Sequence, residues 1–165
     1  MTNEIEKDFN RPNWDEYFLQ ICKVVSTRSV CYRSQCGSVI VKDKAIISTG
    51  YNGSPKGQRN CREIGYCYRN KHQILSGTQL EKCRAIGSHG ESNAVVLAAK
   101  NHGGTDGATI YIYGNTAICA QCRAIIANAG IIRVVYRPKN TEDIIEYIPE
   151  LDWNIHPLDM TDQKK

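Results

Sequence analysis

Apolar residues recur at helical spacing early in the chain, just after a polar residue. Asn13, with Glu16 three residues later, is typical of a helix start. The apolar positions that follow on one helix face are Trp14, Phe18, Ile21, Cys22 and Val25. The pattern predicts a helix over about 14–26.

A β-hairpin is predicted next. The segments CGSVIVK (36–42) and AIIST (45–49) are rich in β-branched residues and flank the polar pair Asp43 and Lys44. The loop GYNGSPKG follows. Residues 54–87 are mostly polar, contain four cysteines or histidines and have little periodicity. We interpret this cysteine-rich stretch as an insertion that lacks a hydrophobic core of its own and that a bound metal would stabilise.

Helix and strand patterns alternate over the second half of the chain. The predicted elements are a helix from Ser88 to Gly103, a strand at 108–114, a helix over about 119–129, a strand at 131–137, a short helix from Thr141 to near Pro149 and a final short strand at 153–158. This α/β order predicts a mixed sheet that is covered on both faces by helices.

Composition and charge exclude several classes of protein. With 165 residues, 41% hydrophobic and 23% charged, the chain is typical of a single soluble domain. We place that domain at 13–157, between a polar lead (1–12) and a disordered tail (158–165). No apolar run approaches the roughly 18 to 20 residues of a membrane span, and the start MTNEIEKDFNRP lacks the apolar stretch of a signal peptide. The net charge of +4 is dispersed. We therefore predict a cytoplasmic protein that binds neither membranes nor nucleic acids.

Eight cysteines are unusual in a cytosolic chain, and metal binding explains them better than disulfides do. Three zinc-type ligands stand at predicted helix starts, His89 in SHGE and Cys119 and Cys122 in CAQC. Three protein ligands leave one coordination position open, as in catalytic zinc sites. The two cysteines share a helix face, and a helix N-terminus favours their thiolate form.

Glu91 follows His89 by two residues and is the predicted proton carrier. Zinc lowers the pKa of a bound water to about 7, and a neighbouring carboxylate can take that proton. A structural alternative is a capping box formed by Ser88 and Glu91, with both cysteines as small core residues. The joint occurrence of three ligands and a carboxylate favours the catalytic interpretation.

Several motifs in the same order narrow the chemistry. The His-x-Glu and Cys-x-x-Cys pair, together with GYNGSPKG, Asn60-Cys61 and HGESNA, resembles the deoxycytidylate deaminase family over about 14–137. The resemblance implies a three-layer α/β/α cytidine-deaminase-like fold with a five-stranded sheet. It also implies zinc-dependent hydrolysis of dCMP to dUMP, which supplies thymidylate synthesis. In that family the residues matching His89, Cys119 and Cys122 hold zinc, and Glu91 would carry protons to ring N3 and then to the departing ammonia.

The resemblance implies further ligand contacts. Asn52 would contact the sugar, and Tyr136 and Gly90 would lie near the nucleotide. Arg28 is a candidate for the phosphate or, alternatively, a solvated charge at a helix end. Many members are homo-hexamers that dCTP activates and dTTP inhibits, with Mg²⁺ accompanying the triphosphate. The matching effector-site residues are Tyr51, Asn52 and Gly53.

The chain departs from the family pattern at three places. Gly90 replaces the usual alanine, Ile118 replaces the proline before the first cysteine, and YIYGNTAIC is two residues longer than usual. The predicted metal ligands are not among the changed residues. The changes would instead affect base selectivity or rate.

The remaining cysteines divide into two groups. Cys22 and Cys36 are predicted to lie in the core. By resemblance to bacterial and phage relatives, a second, structural zinc would be held by Cys31, Cys61, Cys67 and Cys83. Alternatively, one or more of the four is a free cysteine and His72 substitutes as a ligand.

Two other functions stay open. The first is deamination of another cytosine nucleotide, such as dCTP, CMP or a modified dCMP, because these motifs do not report phosphate count or sugar type. The second is a non-catalytic zinc-binding interaction module, which would need the same metals but not Glu91.

Overall fold

A five-stranded mixed sheet forms the centre of the protein. The computed structural model describes residues 11–114 and 117–153. The strands are β1 (Gly37–Lys42), β2 (Ala45–Tyr51), β3 (Thr109–Gly114), β4 (Arg133–Pro138) and β5 (Ile145–Tyr147). Their order is β2-β1-β3-β4-β5, in which β3 and β4 are parallel and every other neighbouring pair is antiparallel. The predicted hairpin and mixed sheet are confirmed.

Helices cover both faces of this sheet. The longer helices are α1 (Trp14–Ser26), α4 (Gly90–Lys100) and α5 (Ala120–Asn128). The short ones are α2 (Cys61–Ile64), α3 (Tyr68–Lys71) and α6 (Pro149–Asp152), and a 3-10 turn spans Leu80–Lys82. α1 packs on one face, whereas α4 and α5 pack on the other. The predicted three-layer α/β/α fold is confirmed, as is the helix over 14–26.

Side chains of the central strands alternate between two buried clusters. On the α1 face, Val39 and Val135 pack against Phe18 and Leu19. On the opposite face, the buried side chains of the strands and of α4 and α5 are Ile40, Ile110, Ile112, Val134, Tyr136, Ala94, Ala98, Cys122 and Ile126. Because both faces are covered, the strands appear in sequence as almost continuous apolar runs.

Gly50 lets α4 approach the sheet closely. A Cβ added at this position would lie 2.1 Å from the carbonyl oxygen of Gly90 and 2.3 Å from the amide nitrogen of Ala94. Only glycine fits between strand and helix at such a distance. The last strand residues of the hairpin therefore fix where α4 begins.

Two bidentate ion pairs join α1 to β4. Arg133 binds both carboxylate oxygens of Asp15 at 2.9 Å, and Arg137 binds those of Glu16 at 2.9 and 2.6 Å. The acids occupy the first turn of α1, where negative charge also suits the helix dipole.

The predicted elements after β4 are wrong in part. Residues 145–147 form β5, which pairs with β4 through Ile145 and Tyr147, and the helix begins at Pro149 instead of ending there. Proline suits the first position of a helix because the backbone N–H that it lacks would have no hydrogen-bond partner within the helix there. Trp153 ends α6, and the rest of the predicted strand at 153–158 lies outside the described residues, as do the tail and most of the lead.

The insertion has more regular structure than its sequence predicts. Asn60 and Glu63 form a capping box at the start of α2, a local signal inside a segment that has little periodicity. Within residues 11–114 and 117–153, no helix is both long enough and apolar enough to cross a bilayer. The domain limits at 12 and 157 stay predictions.

Candidate active site

A cavity of about 890 Å³ opens where the first turns of α4 and α5 meet the carboxyl ends of β3 and β4. Ligands of α/β proteins characteristically bind at the carboxyl ends of parallel strands. His89, Glu91 and Cys119 line this cavity, together with Tyr136 from β4.

Three predicted ligands converge in the cavity. His89 is the N-cap of α4, Cys119 is the N-cap of α5, and Cys122 lies in the first turn of α5. The His89 Nδ1 atom lies 3.4 Å from Cys119 Sγ and 3.5 Å from Cys122 Sγ. A tetrahedral zinc with ordinary bond lengths would separate nitrogen and sulfur by about 3.6 Å. The donor set therefore fits zinc in both type and spacing.

The local backbone explains how these side chains are presented. Ser92 Oγ accepts a hydrogen bond from the His89 amide at 3.1 Å, and Cys119 Sγ accepts one from the Cys122 amide at 3.5 Å. Ser88 Oγ instead contacts the side chain of Asn93. The alternative capping box of Ser88 and Glu91 is thus wrong, because Ser92 supplies that contact and Glu91 faces the interior.

Electrostatics favour a thiolate at Cys119. A hydrogen bond from Cys122 and another from His89 lower the pKa of Cys119 below that of an ordinary thiol. The contact with Cys119 raises the pKa values of Cys122 and His89. Cys119 is therefore favoured as a thiolate, the form that binds zinc, at the N-terminus of α5, where the helix dipole also favours negative charge.

Glu91 is almost fully buried beside this triad. Its exposure is 6%, and burial raises the pKa of its carboxyl group. Cys36 Sγ lies 3.9 Å from Glu91 Oε2. A carboxyl group with a raised pKa can hold a proton and release it near neutral pH.

Of the residues predicted to contact the substrate, Tyr136 and Asn52 line the cavity, whereas Gly90 and Arg28 do not. Tyr136 lines the cavity with its hydroxyl buried and unpaired among the described residues, and burial raises its pKa. Asn52 also lines the cavity, but its amide is engaged with the backbone of Ser34 and Cys36. Gly90 lies beneath the cavity, against Cys36 and Ser38.

Arg28 does not line the cavity, and its side chain is exposed. Among the residues that the structure describes, six other basic residues and one acidic residue, Glu91, line it instead. Sequence reasoning missed these six residues, which are Arg33, Arg69, Lys82, Arg84, Arg123 and Lys139. Lys139 had a usable signal, because it directly follows the carboxyl end of β4.

The predicted effector loop lies partly on the same cavity. Asn52 and Gly53 line it, whereas Tyr51 is 40% exposed and does not. An effector role for these residues stays a prediction.

Cys31 and the three cysteines of the insertion, Cys61, Cys67 and Cys83, line the cavity but are not assembled like the His89 set. Burial and the charges of Cys67, Cys31 and Cys83 raise the pKa of Cys61. In the part of the chain that the structure describes, only His89, Cys119 and Cys122 form a set whose ligand atoms all lie within 4.8 Å of one another. His72 packs its ring against Tyr68 at 4.2 Å.

Comparison with known proteins agrees with this geometry. Residues 12–137 match the family described as the cytidine and deoxycytidylate deaminase zinc-binding region. A deoxycytidylate deaminase of Mycobacterium phage D29 is 38% identical over 80% of this chain and 99% of its own length. One from Schizosaccharomyces pombe is 35% identical over 81% of this chain, which spans only 39% of that protein.

A solved structure extends the likeness to the fold. The dCMP deaminase of cyanophage S-TIM5, determined in complex with dCMP and dUMP, superimposes with a TM-score of 0.58 at 28% identity. The match covers 78% of this chain and 83% of the cyanophage chain. The chain therefore belongs to the cytidine and deoxycytidylate deaminase family.

Proposed function

We propose that this protein is a zinc-dependent deaminase that converts dCMP and water to dUMP and ammonia. The observation that carries the proposal is the convergence of His89, Cys119 and Cys122 on one point of a cavity that also holds the buried Glu91 carboxylate. The relatives named deoxycytidylate deaminase, and the cyanophage enzyme solved with dCMP and dUMP, support this substrate.

The roles of the residues follow from their chemistry. His89, Cys119 and Cys122 would hold zinc, which supplies a Lewis acid that makes water nucleophilic near neutral pH. Glu91 takes a proton from the attacking water and delivers it to ring N3. It then takes the second proton from the hydroxyl group added to the ring carbon and delivers it to the amino group, which departs as ammonia. Its burial excludes competing proton donors from bulk water.

The charge of the cavity favours an anionic substrate over a nucleoside. Six basic residues and one acidic residue line it, and cationic side chains are the usual partners of phosphate groups. Arg33 and Lys139 also line a recess of about 190 Å³ together with Arg62, and no acidic residue lines it in the part of the chain that the structure describes. We assign the nucleotide phosphate to this recess instead of to Arg28.

The finer features of the family are proposed on the resemblance. They comprise a second, structural zinc at Cys31, Cys61, Cys67 and Cys83, a cytoplasmic location, assembly into a homo-oligomer such as a hexamer, and regulation by dCTP and dTTP with Mg²⁺. All four cysteines line the cavity, and Cys67, Cys31 and Cys83 lie near enough to Cys61 for their charges to raise its pKa, which supports the second zinc.

The test is ammonia release from dCMP, CMP, dCTP, deoxycytidine and a single-stranded oligonucleotide under identical conditions. We expect the largest kcat/KM with dCMP. A larger value for dCTP or CMP would assign the protein to another cytosine nucleotide. Release from none of them, with zinc bound, would favour the non-catalytic zinc module.

A further inference from the structure

Cys36 immediately precedes β1 and lies against the candidate catalytic carboxylate. Its Sγ is 3.9 Å from Glu91 Oε2, and both side chains are buried. We propose that Cys36 is a positioning residue for Glu91, whose thiol donates to Oε2 and fixes the carboxylate in the orientation that proton transfer requires. This inference rests on the proposed deaminase function.

Asn52 holds the backbone of Cys36 in place. The Cys36 amide donates to Asn52 Oδ1 at 2.8 Å, and the Cys36 carbonyl accepts from the Asn52 amide at 3.3 Å. The Asn52 Nδ2 group donates to the carbonyl of Ser34 at 2.9 Å. The loop before β1 is therefore joined to the end of β2 by three hydrogen bonds. These hydrogen bonds fix the backbone position from which the Cys36 side chain extends.

Two glycines make room for Cys36 from other directions. A Cβ added at Gly90 would lie 3.3 Å from Cys36 Sγ and 3.2 Å from Ser38 Oγ. A Cβ added at Gly114, whose φ is 152°, would lie 2.9 Å from the Cα of Cys36. The start of α4 and the end of β3 thus close around this residue. An alanine at position 90 would require the thiol of Cys36 or the hydroxyl of Ser38 to move by a few tenths of an ångström.

The thiol is in its protonated form and can act as a donor. Burial, followed by the charge of Glu91, raises the pKa of Cys36 well above its ordinary value. A thiol is a weak donor, but an ionised acceptor strengthens a hydrogen bond. The contact therefore restrains the carboxylate without competing for its proton.

The experiment compares Cys36→Ala and Cys36→Ser with the parent, using zinc content, melting temperature and steady-state kinetics on dCMP. We expect Cys36→Ala to lower kcat about 3- to 10-fold with KM within about twofold, as the loss of one weak hydrogen bond from a thiol predicts. Cys36→Ser keeps a donor and should recover most of the parent kcat.

Cys22 provides the matched control. Its thiol is also buried and donates to the carbonyl of Tyr111 at 3.2 Å, but it belongs to the cluster on the opposite face of the sheet. Cys22→Ala should lower the melting temperature and leave kcat at the parent value. Parent kcat in Cys36→Ala, or equal loss in Cys36→Ser and Cys36→Ala, would overturn the positioning role.

A second measurement applies if the Cys36 variants do not fold. Gly90→Ala should lower both kcat and melting temperature, and Ser38→Ala in the same chain should restore part of that melting temperature. If the effects of Gly90→Ala and Ser38→Ala on the melting temperature are strictly additive, the side chain at position 90 does not contact β1. That result would overturn the packing on which the inference depends. A parent with no activity on any cytosine nucleotide would instead overturn the proposed function itself.

Discussion

Arg33 and Lys139 illustrate what single residues contribute to recognition. They come from distant parts of the chain, yet both line the main cavity and the recess beside it. None of the described residues that line that recess is acidic. At the scale of the residue, we propose this pair as the phosphate-binding site in place of Arg28, which the family resemblance suggested.

We predict that Lys139→Ala raises KM for dCMP about tenfold or more and changes KM for deoxycytidine little, because a charge-assisted hydrogen bond to phosphate is lost. Steady-state kinetics on both compounds check this. Arg28→Ala is the control, since Arg28 is exposed and outside the cavity. A larger effect from Arg28→Ala would restore the assignment based on resemblance.

The zinc-type ligands and Glu91 could be predicted from sequence because their residue types and short spacings carry the chemistry themselves. Lys139 carried a signal in its position after β4, but its pairing with Arg33 could not be predicted, because nothing local links position 33 to position 139. Cys36 was predicted as core and is indeed buried, but its contact with Glu91 depends on how α4 packs across β1. Sequence periodicity reports the buried face of an element and not the partner across it.

At the scale of elements, the position of α4 on β2 decides where His89 and Glu91 stand. We predict that Gly50→Ala destabilises the protein by about 3 kcal/mol or more, because its Cβ would meet backbone atoms of α4 that cannot rotate away. Urea unfolding measures this. Gly53→Ala is the control, since a Cβ there meets nothing within 4 Å. Equal stability of the two variants would contradict the close helix approach.

The ion pairs between α1 and β4 make a pH-dependent contribution to stability. The hydrogen bond from Arg133 holds the pKa of Asp15 below its ordinary value of 3.8. The stabilisation is therefore complete above that ordinary value and is lost as the pH falls through the lower value of the folded state.

We accordingly predict that Asp15→Asn lowers the free energy of unfolding by about 1 kcal/mol at neutral pH, and that the difference from the parent shrinks below pH about 4. Unfolding at several pH values checks this. Glu150→Gln, which changes an exposed carboxylate of α6, should have little effect at any pH. A difference that grows on acidification would contradict the assignment.

The element after β4 shows why boundaries near proline are hard to predict. Residues 141–149 can be interpreted as a helix that proline stops, but Pro149 starts α6 and the preceding residues pair with β4. A proline fits both the first turn of a helix and the segment after one. Pairing of β5 with β4 determines which of these two positions Pro149 occupies, and this pairing is a long-range interaction.

At the scale of the whole molecule, one sheet brings together segments that are far apart in sequence. The presence of helices on both faces was predictable from the alternation of elements. The strand order β2-β1-β3-β4-β5 was not, since it depends on which edges pair. The parallel β3 and β4 place the starts of α4 and α5 and the insertion around one cavity.

The insertion has few apolar residues of its own in the core, so we predict that metal stabilises it. The purified protein should contain about two zinc ions per chain, and Cys61→Ser should lose one and melt at a lower temperature while the folded fraction still turns over dCMP. Metal analysis and thermal unfolding with and without chelator check this. A reproducible value near one zinc in the parent would remove the structural site.

The most direct test of the central claim is dCMP turnover by Glu91→Gln beside the parent, with zinc measured in both. The amide preserves the shape of the side chain but cannot carry a proton, so the account predicts unchanged zinc content and melting temperature. It predicts a loss of kcat of at least about 10² to 10⁴-fold, the usual contribution of general acid–base catalysis. Turnover close to that of the parent would contradict the account, because Glu91 would then be a structural residue of α4.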